Sequence, residues 1–241
     1  MQDNIKSLCF WGWNGDMNYS DMVAQLKEFA EKGMGGVFIH ARAGLKIPYL
    51  KEEWFSAFGK AVNECKKLGL EVWIYDENGW PSGFAGGIVC SFSEEYRERY
   101  LLCKKLNFPS HEIPANIAAI YEKTADGYNL VAKGGEDLNY SSLNGEYTVI
   151  YAVFNNEYVD ILNKDAVKYF IETTHEQYRN RFKNEFGETI KGIFTDEPHF
   201  SPNGIPWGKY IPEEFERMNG YSIYEALPYL FFKTGNYQSY R

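Results

Sequence analysis

Three short apolar runs in the first part of the chain have the pattern of buried strands. They are residues 7–13 (SLCFWGW), 36–40 (GVFIH) and 70–75 (LEVWIY), and each is followed by polar residues or glycine. Residues 20–30 and 51–68 lie between these runs and repeat apolar side chains at helical spacing. Strands that are apolar on both faces and alternate with helices are typical of a parallel sheet covered by helices. The pattern therefore predicts three consecutive β-α units.

The pattern changes between residues 94 and 158. Short strand-like runs are separated there by turn signals, among them Asn144-Gly145, and they predict a small antiparallel β insertion. The β-α pattern then resumes. Asn163 is predicted to cap one long helix with apolar residues from Ala166 to Phe182, and residues 189–195 (TIKGIFT) are predicted to form a fourth strand.

These elements predict an α/β fold, a partial (β/α)8 TIM-type barrel with the first four β-α units and an antiparallel β insertion between units three and four. The expected boundaries are 1–93 for the first three units, 94–158 for the insertion, and 159–241 for the fourth unit and the helices after it. No fifth strand-like run follows, and four strands cannot close a barrel. The chain is thus expected to be a truncated fragment whose partner is the missing C-terminal half of the barrel. Expressed alone, it is expected to self-associate through its open sheet edges and apolar interior.

Composition narrows the possible partners. The 241 residues carry a net charge of -8, which argues against a nucleic-acid partner because no basic surface would neutralise phosphates. No apolar run approaches the roughly 20 residues that cross a membrane, and the N-terminus does not resemble a signal peptide. The four cysteines form no CxxC pair, so free thiols in the cytoplasm are the expectation. Aromatic residues make up 17% of the chain, and some of them could stack on sugar rings.

Polar side chains follow all four predicted strands, which is where barrel enzymes have their active sites. The candidates for substrate binding are Trp13, Asn14, His40, Arg42, Asp76, Asn78, Trp80 and His199. The candidate catalytic residues are Glu197, Glu77 and Asp196. Cleavage of a glycosidic bond needs one carboxylic acid to protonate the leaving oxygen and a second carboxylate as base or nucleophile. Glu197 is favoured because it follows a buried strand and precedes Pro198, and because a neighbouring carboxylate would help to keep it protonated.

Alternatives remain at each of these positions. Asp76 or Asp196 could equally accept hydrogen bonds within a loop, and His40 could be a barrel-interior residue. The carboxylates after the third and fourth strands could also hold Ca²⁺, although their spacing follows no loop motif. A non-catalytic carbohydrate-binding protein is the main alternative to a glycoside hydrolase. A metal-dependent hydrolase is disfavoured because no HxH pair follows the first strand.

Three segments, GGVFIHARAGL, EVWIYDENGWPSGFAGG and GETIKGIFTDEPHF, resemble the glycoside hydrolases related to the family 106 α-L-rhamnosidases. The resemblance extends over nearly the whole chain. It implies a large enzyme with a complete barrel and a Ca²⁺-assisted, inverting attack on terminal rhamnose-like sugars of plant or bacterial polysaccharides. It also implies that Asp76 to Trp80, Gly83, Asp196, Glu197 and His199 line the sugar subsite, with Glu197 as the catalytic carboxylate. Residues from a second half of the barrel would be absent, so this chain alone is expected to be inactive.

Overall fold

The computed structural model describes residues 6–109, 112–135, 139–200, 204–235 and 237–240. It shows a mixed α/β fold with a four-stranded parallel sheet and a five-stranded antiparallel sheet. The chain divides into two units, one of residues 1–93 and 164–199 and one of residues 94–163 and 200–241. Each unit is described by itself.

The regular elements follow one another along the chain with short connections. They are β1 (Leu8–Trp13), α1 (Tyr19–Glu31), β2 (Gly36–Ala41), α2 (Glu52–Leu68), β3 (Glu71–Asn78), α3 (Ile88–Phe92), β4 (Arg97–Phe108), β5 (Ile117–Lys123), β6 (Tyr128–Lys133), β7 (Gly145–Val159), α4 (Lys164–Thr173), α5 (His175–Phe182), β8 (Ile190–Phe194), β9 (Ile205–Trp207), α6 (Ile211–Asn219) and α7 (Ile223–Phe231). Among the described residues, no helix is long and apolar enough to cross a membrane.

The first unit contains the parallel sheet, in the order β1-β2-β3-β8. All three strand pairs are parallel, as the alternation of apolar runs and helical segments predicts. The described residues form an open sheet and do not close a barrel, because β1 and β8 lie at its two edges and are not paired with each other. The parallel β-α units are therefore present as predicted, and their origin as part of a TIM-type barrel stays a prediction.

One face of this sheet packs against helices through large aromatic side chains. The alternation along β1 turns Trp11 and Trp13 to this face, and the Trp13 ring lies 5.0 Å from that of Trp54 in α2. The indole N–H of Trp54 donates to the hydroxyl of Tyr178 in α5, at 2.8 Å. Burial of a large apolar side chain stabilises the fold by about 1.5–3 kcal/mol. Trp13 is 1% exposed and belongs to this core.

The opposite face of the parallel sheet carries a second aromatic cluster. The rings of Phe10 and Phe38 stack at 4.7 Å, and Phe194 lies 5.2 Å from Phe10. Trp73 extends over Gly192, where a Cβ atom would overlap the indole ring, so this position of β8 requires glycine. Phe10 is 54% exposed although it lies at the centre of the cluster. This face therefore presents aromatic surface at the level of the strand ends, and self-association through it stays a prediction.

The predicted long helix after Asn163 is interrupted. It forms α4 and α5, and the break lies at Thr174, whose φ and ψ angles are -108° and -80°. The Thr174 hydroxyl donates to the carbonyl of Phe170 at 2.6 Å, a local bond that competes with regular helix geometry. The break redirects His175, whose ring lies within hydrogen-bond distance of Asp76. The prediction of one continuous helix was wrong, because the spacing of apolar residues does not reveal a contact with a residue far away in the chain.

The second unit contains the antiparallel sheet, in the order β6-β5-β7-β4-β9. Its first four strands correspond to the β-rich insertion that the sequence predicts. The three-residue strand β9 pairs with β4, and Leu227 of α7 packs in a core with Leu101 and Tyr121. Residues 200–241 consequently belong to this unit, whereas the predicted segment 159–241 joined them to the fourth β-α unit. The difference arises because a short edge strand is recognised by its pairing and not by its own sequence.

Candidate functional site

A cleft opens at the carboxyl ends of the parallel strands. It has a volume of about 380 Å³, and its lining residues are Phe10, Gly12, His40, Arg42, Tyr75 and Asp196. The carboxyl ends of parallel strands lie at one edge of a sheet, and this edge is the usual place for ligands in such folds. Of the residues that the sequence predicts, the cleft brings His40, Arg42 and Asp196 together. Phe10 and Tyr75 also line it, and the sequence analysis did not select either.

His40 forms one wall of the cleft. It is 5% exposed, and its ring stacks on Tyr75 with centroids 3.4 Å apart. Its Nε2 atom lies 2.9 Å from the carbonyl oxygen of Gly79. Because a carbonyl can only accept, Nε2 carries the hydrogen in this contact. Burial is the main cause that lowers the pKa of His40, and the guanidinium of Arg42 lowers it further. His40 therefore acts as a neutral imidazole near neutral pH.

Asp196 is held in the cleft by three hydrogen bonds. The phenol of Tyr75 donates to its Oδ2 atom at 2.5 Å. The backbone N–H of Asp196 donates to Oγ of Ser82 at 2.8 Å, and the backbone N–H of Ser82 donates to the carbonyl of Asp196 at 2.9 Å. Burial, followed by the contact with Asp196, raises the pKa of Tyr75, so the phenol keeps its proton. The backbone and one carboxylate oxygen of Asp196 are thus fixed.

Asp76 has no contact with solvent and lies at the centre of a buried network. Its Oδ1 atom accepts from Oγ of Ser82 at 2.6 Å. Its Oδ2 atom accepts from Nε2 of His175 at 2.9 Å and from Oγ1 of Thr195 at 2.6 Å. These contacts join the end of β3 to the loop after it, to α5 and to the end of β8. They favour a structural role for Asp76 over the substrate contact that the sequence suggested.

Glu77 is also fully buried, and it binds the loop that follows it. Its two oxygens accept backbone N–H groups from Asn78, Gly83, Phe84, Ala85 and Gly86. A ring of backbone N–H groups of this kind forms a nest for an anion, and here the anion is the side chain of the protein itself. Both oxygens of Glu77 are therefore engaged away from the cleft, which favours a structural role over a catalytic one.

The burial of Glu77 leads to a pH-dependent stability. Burial raises the pKa of Glu77 to about 7, although its backbone hydrogen bonds lower it. In the unfolded chain a Glu titrates near pH 4.3. Between about pH 4 and pH 7 the folded protein then holds more protons than the unfolded chain. Its free energy of unfolding should fall by up to about 3 kcal/mol as the pH rises through this range, and then level off.

Urea unfolding of the wild type and of Glu77→Gln at pH 5, 6, 7 and 8 tests this expectation. The Gln variant should lack the decline, because its side chain does not titrate. Glu188→Gln, at an exposed position, is the matched control and should follow the wild type. The same decline in the Glu77→Gln protein would show that other groups cause it.

The other predicted site residues are not among those that line this cleft. Glu197 is exposed and has a left-handed backbone, with φ of 43°. This conformation costs a non-glycine residue about 1–2 kcal/mol, and such costs are concentrated at functional sites. Trp80 is 52% exposed, and its ring lies 6.1 Å from that of His199. Asn78 is partly buried, and its backbone takes part in the nest around the carboxylate described above.

Trp13 and Asn14 lie apart from this cleft. They line a smaller cleft of about 240 Å³ between the end of β1 and the start of α1. Trp13 is buried against the helices, and Asn14 is exposed. The predicted substrate contacts of these two residues therefore do not share a cavity with Asp196.

The predicted Ca²⁺ ligands do not fit a cation. Among the described residues, no group of three or more His, Cys, Asp or Glu side chains is placed to hold a metal ion. N–H and O–H donors occupy the oxygens of Asp76 and Glu77, and hydrogens that point at an oxygen leave no space for a cation. No step of the reaction proposed below passes through Ca²⁺.

Sequence reasoning missed four residues that hold the site: Tyr75, Ser82, His175 and Thr195. Three of them could have been suspected from the sequence, because Tyr75, Ser82 and Thr195 lie within the YDENGWPSG and FTDEP segments. Nothing in the sequence points to His175, since it lies 99 residues from Asp76 within a helical pattern. Only the folded chain brings its ring to that carboxylate.

Comparisons with known proteins support the fold but do not identify a function. No protein-family model matches the chain, and no curated protein matches its sequence. A solved structure of a rhamnosidase from Novosphingobium sp. PP1Y is similar, with a TM-score of 0.64 and 12% sequence identity. The match covers 97% of this chain and 42% of the rhamnosidase chain, so the chain spans less than half of that enzyme's length. At this identity the likeness shows a related fold alone.

Proposed function

We propose that this chain carries part or all of the active site of a glycoside hydrolase that acts on O-glycosidic bonds, with terminal α-L-rhamnose-like sugars as its substrates. The observation that supports the proposal most directly is the position of Asp196. Its carboxylate is fixed by Tyr75 in a cleft at the strand ends, and the exposed carboxylate of Glu197 follows it in the chain. The likeness to a solved rhamnosidase is consistent with this proposal.

The two carboxylates have different surroundings, which suits two different roles. Glu197 is exposed and free to protonate the leaving glycosidic oxygen as general acid. Asp196 accepts a hydrogen bond from Tyr75, which orients its carboxylate as the group that takes a proton from water or attacks the sugar. The resemblance to the family 106 enzymes favours the first of these roles for Asp196, because it implies inversion.

The other cleft residues can bind the sugar. Arg42 supplies up to five N–H donors for hydroxyl groups, and its stem passes Gly12, where an added Cβ would lie 3.3 Å from Cγ of Arg42. The exposed ring of Phe10 offers an apolar face to the C–H groups of a sugar ring. Trp80, beside His199, offers a second exposed aromatic face.

A non-catalytic carbohydrate-binding protein is the second candidate. The inward orientation of Asp76 and Glu77 favours it, since two of the four carboxylates at the strand ends are not available for chemistry. The same aromatic and basic residues would then bind a sugar without cleaving it.

A panel of nitrophenyl glycosides that includes α-L-rhamnoside separates the two candidates. We expect the product of the full-length gene to release nitrophenol from one class of sugar, with release that continues in EDTA because Asp76 and Glu77 do not fit a metal site. Ligand-observed NMR with the free sugars provides the parallel binding measurement. Binding of a sugar without release from any glycoside would favour the second candidate, and loss of release in EDTA would contradict the metal-independent mechanism.

A further inference from the structure

We infer that Tyr75 is a positioning residue that holds the carboxylate of Asp196 in one orientation for the reaction. The inference rests on the proposed function, because it assigns Asp196 the role of base or nucleophile. Tyr75 was not among the residues that the sequence analysis selected, and its hydroxyl donates to Oδ2 of Asp196.

The ring of Tyr75 is clamped on both sides. His40 of β2 stacks on it at 3.4 Å with an interplanar angle of 19°, and Phe194 of β8 stacks at 5.7 Å with an angle of 17°. β3 lies between β2 and β8 in the sheet, so the three rings follow one another across the strands. The stacked neighbours restrict rotation of the Tyr75 side chain, and its hydroxyl therefore points at the carboxylate of Asp196.

The direction of the hydrogen bond decides its chemical effect. An ionised carboxylate only accepts, so the phenol must donate. A donor at 2.5 Å to a charged acceptor is a charge-assisted bond, and it fixes one oxygen of the carboxylate. The bond uses Oδ2, and for the described residues the structure records no hydrogen bond to Oδ1 of Asp196. Oδ1 is consequently the oxygen that is available to a water molecule or to the sugar.

The backbone contacts of Asp196 support the same conclusion. Ser82 fixes the N–H and the carbonyl of Asp196, and Asp76 in turn accepts from the Ser82 hydroxyl. The backbone of Asp196 is therefore set by the buried network, and its side chain is set by Tyr75.

Tyr75→Phe removes the hydroxyl and keeps the stacked ring. We expect kcat to fall about ten- to a hundred-fold, with KM within about two-fold of the wild-type value. A loss confined to kcat is the mark of a positioning role, since a general loss of packing around the cleft would also change KM. Tyr121→Phe is the matched control, because Tyr121 is a buried tyrosine whose hydroxyl donates to a backbone carbonyl, that of Tyr224. It should keep the wild-type kcat and KM.

Two further measurements keep the inference testable if Tyr75→Phe fails to fold or no glycoside is cleaved. Incorporation of 3-fluorotyrosine at position 75 keeps both the ring and the hydroxyl, and it should leave kcat within about two-fold of the wild-type value. A thermal-melting cycle of Tyr75→Phe, Asp196→Asn and the double variant needs no activity. The double variant should melt close to the less stable single variant, because either single substitution already removes the hydrogen bond between the two side chains.

The outcomes separate the inference from the proposed function. A kcat of Tyr75→Phe within about two-fold of the wild-type value, or additive single effects in the melting cycle, would overturn the role of Tyr75. Failure of every glycoside to react would overturn the proposed hydrolase, and the melting cycle would then decide the Tyr75 inference by itself.

Discussion

Glu197→Gln lowers kcat of the proposed hydrolase by about a thousand-fold or more, with little change in stability. An amide cannot donate the proton that the leaving oxygen requires, and general acid catalysis typically contributes a factor of about 10²–10⁴. Glu197 is exposed, so its replacement disturbs no buried contact, and the free energy of unfolding should stay within about 0.5 kcal/mol of the wild-type value. Steady-state kinetics on the glycoside identified by the panel and a urea unfolding curve measure the two quantities.

Glu188→Gln is again the matched control for this substitution. Glu188 is an exposed glutamate in the connection between α5 and β8, away from the cleft residues, and its variant should keep full turnover. A second check uses glycosides with better leaving groups. The Glu197→Gln protein should recover more of its rate on them, because they need less protonation. Near-normal turnover of Glu197→Gln on every substrate would remove this residue from the role of general acid.

Asp76→Ala is expected to destabilise the first unit by about 3–5 kcal/mol. Removal of a buried, hydrogen-bonded carboxylate leaves Ser82, His175 and Thr195 without their acceptor and opens a cavity beside them. This loss is comparable to a large part of the total stability of a typical domain. Urea unfolding followed by the fluorescence of the tryptophans around β1 and α2 measures it.

Asp21→Ala is the control for loss of a carboxylate. Asp21 lies exposed in the first turn of α1, where a negative charge near the helix N-terminus contributes about 0.3–1 kcal/mol. If Asp76→Ala cost no more than Asp21→Ala, the buried network would not stabilise the fold. Retained stability together with a loss of sugar binding would instead restore the substrate contact suggested by the sequence.

The local elements of this protein follow from its sequence for a simple reason. Periods of two and 3.6 residues are properties of short segments, so the apolar runs at β1, β2, β3 and β8 and the helical pattern of α2 are visible without any tertiary contact. Glycine at the end of α2 is a further local signal, and Gly69 does adopt the left-handed conformation, with φ of 68°. The parallel order of the sheet follows from the β-α alternation.

Features that depend on distant residues did not follow. The break at Thr174 and the pairing of β9 with β4 each depend on contacts with segments far away in the chain.

The candidate site shows the same division between sequence and structure. The sequence placed four carboxylates, Asp76, Glu77, Asp196 and Glu197, at the ends of β3 and β8. It favoured Glu197 as the catalytic residue and Asp76 as a substrate contact, but it could not show how the surroundings of the four side chains differ. The tertiary structure separated them. Asp76 and Glu77 are turned into networks of N–H and O–H donors, Asp196 is held at the cleft by Tyr75, and Glu197 is exposed. Two of the donors that decide this, His175 and Thr195, lie 99 and 119 residues from Asp76, and only folding brings a donor so distant in the chain to a chosen carboxylate oxygen.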